Sequence, residues 1–332
     1  MDTTFYEAQR QGRISFYVTS TGEEAITDAS AAALKIGDVI FPQISIWKTG
    51  VYGVINNAMQ YRELGILLWH GFTLQQFANQ LFGNKDDYGK GRQMPVHFGS
   101  NKLNYFTVAS TIAEGQTFIT QIPHAVGAAF SLNMDKKDAC IVTYFGDGGT
   151  SEGDFHAVLN FAAVMEFPVI FICRNNGWAI STPVMGWLLK AGLMEIQSIC
   201  VDGNDALAIY AAVRAARKMA IEEHKPVLLK IELWRTKHDP ITRFRKWVQQ
   251  KGWWSDGAES ELRNNIRKQT CVTSSMQLVQ VIQAAERIKK PYVAELFTDV
   301  YDALPSNLGE QESSLRETIR RHPQDYPPDV PV

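Results

Sequence analysis

The sharpest hydrophobic pattern lies in the middle of the chain. Ala139 to Phe145 (ACIVTYF) is an apolar run, interrupted only by Thr143, that ends in Gly146-Asp147-Gly148-Gly149. Ser151 to Met165 follows with apolar residues at helical spacing, and Pro168 to Cys173 (PVIFIC) is a second short apolar run, ending in Arg174-Asn175-Asn176-Gly177. Short apolar runs bounded by turn residues predict strands buried on both faces. Strand, helix and strand of these lengths predict a βαβ unit, hence a parallel pair with a right-handed crossover.

A further unit is predicted from Val201-Asp202-Gly203-Asn204-Asp205 onward. Its helix runs to about Glu223, with Leu207, Tyr210, Val213 and Ala216 on one face, and PVLLKIELW follows as a strand. Upstream, residues 1–42 predict helices, clearest in GEEAITDASAAAL, with VIFP as a short exit strand. Residues 44–59 fit neither period. Thr73 as cap, an apolar face to Phe82 and Gly83 as stop predict another helix. Residues 83–104, rich in Gly, Asp, Asn and Lys, predict a long loop of the functional kind. The expected fold is α/β, a parallel sheet with helices on both faces over residues 1–238, and a charged helical extension over 239–332.

Composition narrows the partners. The chain has 332 residues, 45% hydrophobic and 20% charged, enough for one large core with an extension. A net charge of −2 gives no bulk attraction to nucleic acid or to an anionic membrane, so neither is an expected partner. The most apolar stretch, Phe161 to Cys173, is interrupted by Glu166 and Pro168 and is too short to span a bilayer. Cys140, Cys173, Cys200 and Cys271 show no close pairing, which predicts free thiols in a reducing compartment. The opening MDTTFYEAQRQGR has no apolar centre, unlike a signal peptide, and carries acidic residues that a transit peptide avoids. It reads as the middle of an amphipathic helix, so the expectation is either a late first residue or an absent upstream part.

In an open parallel sheet, ligands bind at the carboxyl ends of the strands. Asp147 and Asn176 stand just past two such ends and are expected to converge. A carboxylate, an amide oxygen and a nearby carbonyl are hard ligands that suit magnesium, which fills its octahedron with phosphate and water. The glycines around Asp147 let backbone approach a ligand, and the start of the following helix favours an anion. Arg174 offers a planar fork for phosphate. A lone Gly-Asp-Gly or Asn-Asn-Gly is ordinarily a turn; both together, at opposite ends of one βαβ unit, predict a magnesium-diphosphate clamp.

The segment GDGGTSEGDFHAVLNFAAVMEFPVIFICRNNGWAISTP resembles the thiamine-diphosphate signature, so the α/β fold is expected to be of the thiamine-diphosphate-binding kind. FYEAQRQGRISFY, FGNKDDYGKGRQMPVHFGSNKLNYFTV, VDGNDALAIY and RHPQDYPPDVPV resemble the alpha subunits of branched-chain 2-oxoacid dehydrogenases, plant forms above all. Related pyruvate enzymes carry Gly-Gly-Ser-Met where this chain has Arg92-Gln93-Met94-Pro95-Val96-His97. The resemblance covers most of the chain in separate blocks. It implies magnesium ligation by Asp147, Asn176 and the Trp178 carbonyl, and diphosphate contacts from Gly148, Gly149, Arg174, Tyr61 and Arg62. It further implies that Ser110 and Ile112 line the cofactor and that Thr120 and Gln121 hold potassium. Family members decarboxylate the 2-oxoacids of Val, Leu and Ile and pass the acyl group to the lipoyl arm of an acyltransferase core. They work as α2β2 tetramers in the mitochondrial matrix, and the β subunit completes the cofactor site.

Four departures from the family stand out. ISIWKTGVYGVINNAM separates Phe41-Pro42-Gln43 from Gln60-Tyr61-Arg62, and EGQTFI separates Ser110 from Thr120. After Ser181-Thr182-Pro183 a polar stretch is replaced by the apolar VMGWLLKAGLMEIQSIC. The His-His-Ser-Thr-Ser-Asp-Asp-Ser loop, with the family's active-site histidine and phosphorylated serine, is absent after PVLLKIELW. His238 follows that gap and is read as a surface residue, so no catalytic histidine is assigned. The pattern resembles misjoined coding segments, which opens an alternative: a family chain that binds partner or cofactor without turnover.

Overall fold

The structure is a computed structural model that describes the chain except residues 43–62, 108–119, 180–181, 184–195, 234–238, 272–273, 300, 328–329 and 332. Its first elements are α1 (Asp2–Arg10), α2 (Glu24–Ala33), β1 (Val39–Phe41), α3 (Leu64–Trp69), α4 (Leu74–Phe82), α5 (Gln121–Met134) and β2 (Ile141–Gly146). The central stretch continues with α6 (Gly153–Val164), β3 (Val169–Asn175), the two-residue strands β4 (Trp178–Ala179) and β5 (Thr182–Pro183), β6 (Gln197–Asp202), α7 (Ala206–Glu222) and β7 (Val227–Glu232). The helices α8 (Pro240–Gln250), α9 (Asp256–Cys271), α10 (Ser274–Arg287) and α11 (Ser306–Arg321) follow.

The main sheet has the order β1-β2-β3-β7-β6, and every pairing in it is parallel. β2, α6 and β3 form the expected βαβ unit. Alternation along the strands sends Ile141, Phe145, Val169, Phe171 and Cys173 to one face, where Ile122, Ala125, Ala129, Phe155 and Leu159 of α5 and α6 cover them. The other parity carries Tyr144 and Arg174 toward α2, where Tyr144 donates to the Ser30 hydroxyl at 2.9 Å. Helices therefore cover both faces, as expected. Each large apolar side chain buried in this way contributes about 1.5–3 kcal/mol.

Local sequence explains the helix ends. Thr73 accepts from the Gln76 amide while Gln76 accepts from that of Thr73, and Gly83 closes α4 in the left-handed region. Asp205 caps α7 by accepting from the Leu207 and Ala208 amides at 3.1 Å. The helix expected from Ser151 starts two residues later, at Gly153. Residues Asp147–Ser151 form a 3-10 turn, because the Thr150 hydroxyl donates to the Asp147 carbonyl and that of Ser151 to Gly148.

By contact the chain forms two compact units: residues 20–72 with 100–260, which hold the sheet, and residues 1–19 with 73–99 and 261–332. This partition differs from the expected one at 238/239. In the second unit α4 and α1 pack on α10, with Phe5 and Phe77 buried, Arg13 paired to Glu286 at 2.7 Å, and Asn84 donating to the Ala285 carbonyl. Gln80 holds the long loop there by accepting from the Val96 amide and donating to the Met94 carbonyl. α8 stays with the sheet unit, because Arg243 pairs with Asp202 at 2.5 Å and Asp205 at 3.1 Å. Cys140 and Cys173 are buried free thiols and Cys200 an exposed one. No described helix is long and apolar enough to cross a membrane.

Candidate functional site

Gly146 of β2 pairs with Arg174 of β3, so the turns after these strands emerge side by side at the carboxyl edge of the sheet. Asp147 opens one turn, and Asn176-Gly177 forms the other. The Asp147 carboxylate is 5% exposed, and neither oxygen has a hydrogen-bond partner. Burial pushes its pKa up to about 6. The backbone amides of Asp147, Asn176, Gly148 and Gly177 draw it partly back, without reaching bonding geometry on either oxygen. Asp147 and the Asn176 turn are thus brought together, as the sequence pattern leads one to expect.

Gly177 has φ of +76°, a left-handed conformation that favours glycine and turns the chain back toward Asp147. The backbone then enters β4 at Trp178, which pairs antiparallel with Pro183. Gly149 is buried and Gly148 half-buried in the turn that leads to the amino end of α6. A buried carboxylate without a hydrogen-bond donor is costly, and a cation is the natural partner for it. Among the described residues no three His, Cys, Asp or Glu side chains gather as a metal cluster. A carboxylate beside a turn that offers only amide and carbonyl oxygens could hold a hard cation such as magnesium; it lacks the His and Cys ligands that zinc takes.

Arg174 departs from the expected phosphate fork. Its side chain is fully buried on the α2 face, with Glu23 at 2.7 Å and Glu63 at 2.9 Å. The reason is strand parity: Arg174 shares the face of Ile170 and Ile172, and two carboxylates there neutralise it. Thr120 and Gln121 open α5. His124 Nδ1 lies 2.6 Å from the Thr120 carbonyl, and the buried Gln121 donates its amide to the Tyr144 carbonyl at 3.2 Å. Tyr61, Arg62, Ser110, Ile112 and His238 lie outside the described residues. Pattern reading missed Glu23 and Glu63, because nothing in GEEA or RELG marks a partner distant in sequence. It also missed Glu232, which accepts from the Asn175 side chain at 2.7 Å.

A sequence profile described as "Dehydrogenase E1 component" matches residues 1–238. Two Arabidopsis thaliana proteins named 2-oxoisovalerate dehydrogenase subunit alpha 2 and subunit alpha 1, mitochondrial, are 56% and 55% identical to this chain. The alignments cover 100% and 99% of this chain and 70% and 69% of theirs. The first extends over 361 positions, more than the 332 residues of the chain, so the relative carries residues that have no counterpart here. The Bos taurus protein named 2-oxoisovalerate dehydrogenase subunit alpha is 38% identical, over 99% of this chain and 72% of its own. A solved Mycobacterium smegmatis structure described as thiamin diphosphate-dependent covers 64% of this chain and 32% of its own. At 13% identity and a TM-score of 0.39 it has no bearing on the site.

Proposed function

The chain belongs to the dehydrogenase E1 component family, and from that premise we propose that it serves as the alpha subunit of a branched-chain 2-oxoacid dehydrogenase. The substrates are the 2-oxoacids of Val, Leu and Ile, which are oxidatively decarboxylated with transfer of the acyl group to a lipoyl arm. Thiamine diphosphate supplies, when bound, the carbanion that does the carbon chemistry. This chain holds the charged end of that cofactor. The Asp147 carboxylate, the Asn176 amide oxygen and the Trp178 carbonyl take magnesium, while Gly148 and Gly149 let backbone amides approach the diphosphate. The amino end of α6 adds a favourable dipole for the same anion. Arg174, committed to Glu23 and Glu63 on the α2 face, stands outside this clamp.

Tyr61, Arg62, Ser110 and Ile112 keep their proposed cofactor roles on the strength of the resemblance, as do Thr120 and Gln121 for potassium. The partners follow the same reasoning: a β subunit in an α2β2 tetramer and a lipoyl-bearing acyltransferase core, in the mitochondrial matrix. The carrying observation is the Asp147 carboxylate, buried and without a hydrogen-bond partner at the edge where the Asn176 turn meets it. The alternative of a chain without turnover gains nothing from the relatives, whose names are those of dehydrogenase subunits. Co-purifying the chain with a β subunit and measuring magnesium-dependent decarboxylation of 2-oxoisovalerate tests the proposal. Turnover that disappears with Asp147→Asn is the expected result; a purified complex without turnover overturns it.

A further inference from the structure

The turn that carries Asn176 is held by a chain of polar contacts that reaches a neighbouring strand. The register of β3 and β7 sets Asn175 opposite Glu232. The Asn175 side chain works in two directions: its nitrogen donates to Glu232 Oε2 at 2.7 Å, and its oxygen accepts from the Gly177 amide at 3.3 Å. The other Glu232 oxygen pairs with Lys230 at 2.6 Å. The backbone is fastened as well, since the Leu233 amide donates to the Asn175 carbonyl at 2.9 Å and the Gly203 amide to the Glu232 carbonyl at 2.7 Å.

We propose that Glu232 is a positioning residue for the metal site: through Asn175 it fixes the Asn176-Gly177 turn, and so the angle at which Asn176 and the Trp178 carbonyl meet the cation. The proposal rests on the magnesium site described above. A side-chain amide with one fixed partner keeps its oxygen and nitrogen ends in place. Without Glu232, Asn175 can rotate about its terminal bond, and the Gly177 amide then loses an acceptor aimed at it. Gly177 sits in the left-handed region, where a local hydrogen bond sets the course of the chain. Partners one step removed from a metal ligand tune metal affinity about 10–100-fold. Glu232 never touches the cation. Its effect is therefore on affinity, with little on the fold, because Lys230 and Glu232 are both part-exposed at the strand end.

The test is a titration of the full chain with Mn2+ in the presence of thiamine diphosphate, following the free-ion signal by electron paramagnetic resonance, with thermal midpoints recorded in parallel. Wild type is expected to bind, and Asp147→Asn to lose binding. Glu232→Leu is expected to bind about 10-fold more weakly with a midpoint close to wild type. Glu232→Gln, which still offers an acceptor, restores binding to near the wild-type level. If Glu232→Leu does not fold, Asn175→Ala is measured in its place with the same expected loss. Wild-type affinity in Glu232→Leu or its replacement, beside loss in Asp147→Asn, overturns the positioning role alone. No binding by wild type, or undiminished binding by Asp147→Asn, overturns the metal site and the positioning role with it.

Discussion

Arg174 and Glu63 face each other at 2.9 Å with neither side chain reaching solvent, and Glu23 meets the same guanidinium at 2.7 Å. Among the described residues both carboxylates thus meet the same guanidinium under the sheet, beside the Tyr144 ring, whose centroid lies 5.6 Å from the Arg174 guanidinium carbon. Burial of this kind is tolerable only while the charges stay together.

Removing the cation is therefore expected to hurt far more than removing one carboxylate. Arg174→Met takes the guanidinium from beside two buried carboxylates and should cost about 3–5 kcal/mol of stability. Glu63→Gln leaves a one-to-one pair with Glu23 and should cost clearly less. Urea unfolding of the two variants decides the matter; equal losses would mean that the cluster does not act as a unit.

The Asp147 carboxyl makes stability depend on pH in a direction opposite to that of a paired carboxylate. Its pKa in the fold, about 6, lies above the ordinary 3.8, so the fold favours the protonated form. That contribution is fully present below 3.8 and is lost as pH rises through 6; its size is roughly 3 kcal/mol. Metal-free Asp147→Asn keeps the shape without the charge. It is expected to match wild type near pH 4 and to be more stable at pH 7, with magnesium narrowing the gap by stabilising wild type alone. Thermal midpoints of both proteins across that range, with and without magnesium, are the measurement. A constant gap at all pH values would count against a strained carboxylate.

The chain by itself is expected to show no decarboxylation of 2-oxoisovalerate, even with thiamine diphosphate and magnesium. Its described residues supply ligands for a diphosphate and a cation, and the proposed β partner supplies the rest of the cofactor site. Carbon dioxide release by the isolated chain above the uncatalysed background would show that the site is complete within it.

Gly203 is required by space. A Cβ there would lie 2.7 Å from the Glu232 carbonyl oxygen and 2.9 Å from Ile231 Cγ2. Gly203→Ala is expected to cost about 1–3 kcal/mol by pushing β6 and β7 apart, and to weaken metal binding through displaced Glu232. Chemical denaturation together with the Mn2+ titration checks both effects.

The sheet centre was legible because β2 and β3 are buried along nearly their whole length and so are written as mostly apolar runs. β6 was not foreseen: Gln197, Ser198 and Cys200 are exposed on an edge strand, and QSICVD gives no clear period. The meeting of Asp147 with the Asn176 turn followed from topology alone, since two adjacent parallel strands end together. The fate of Arg174 did not. Its type suggested phosphate, whereas strand parity and the distant Glu23 and Glu63 decided where it points. The grouping of α1 and α4 with α10 was hidden for the same reason, because helices remote in sequence bury each other's faces.

The strand order also governs the sequence of events while the chain is being made. Among the described strands of the main sheet β7 is the last to leave the ribosome, yet it occupies the slot between β3 and β6. Until Val227–Glu232 has emerged, β3 presents an open apolar edge and β6 has no partner in that sheet. The nascent chain must hold β2 and β3 through more than fifty residues of further synthesis without pairing to a neighbour's edge.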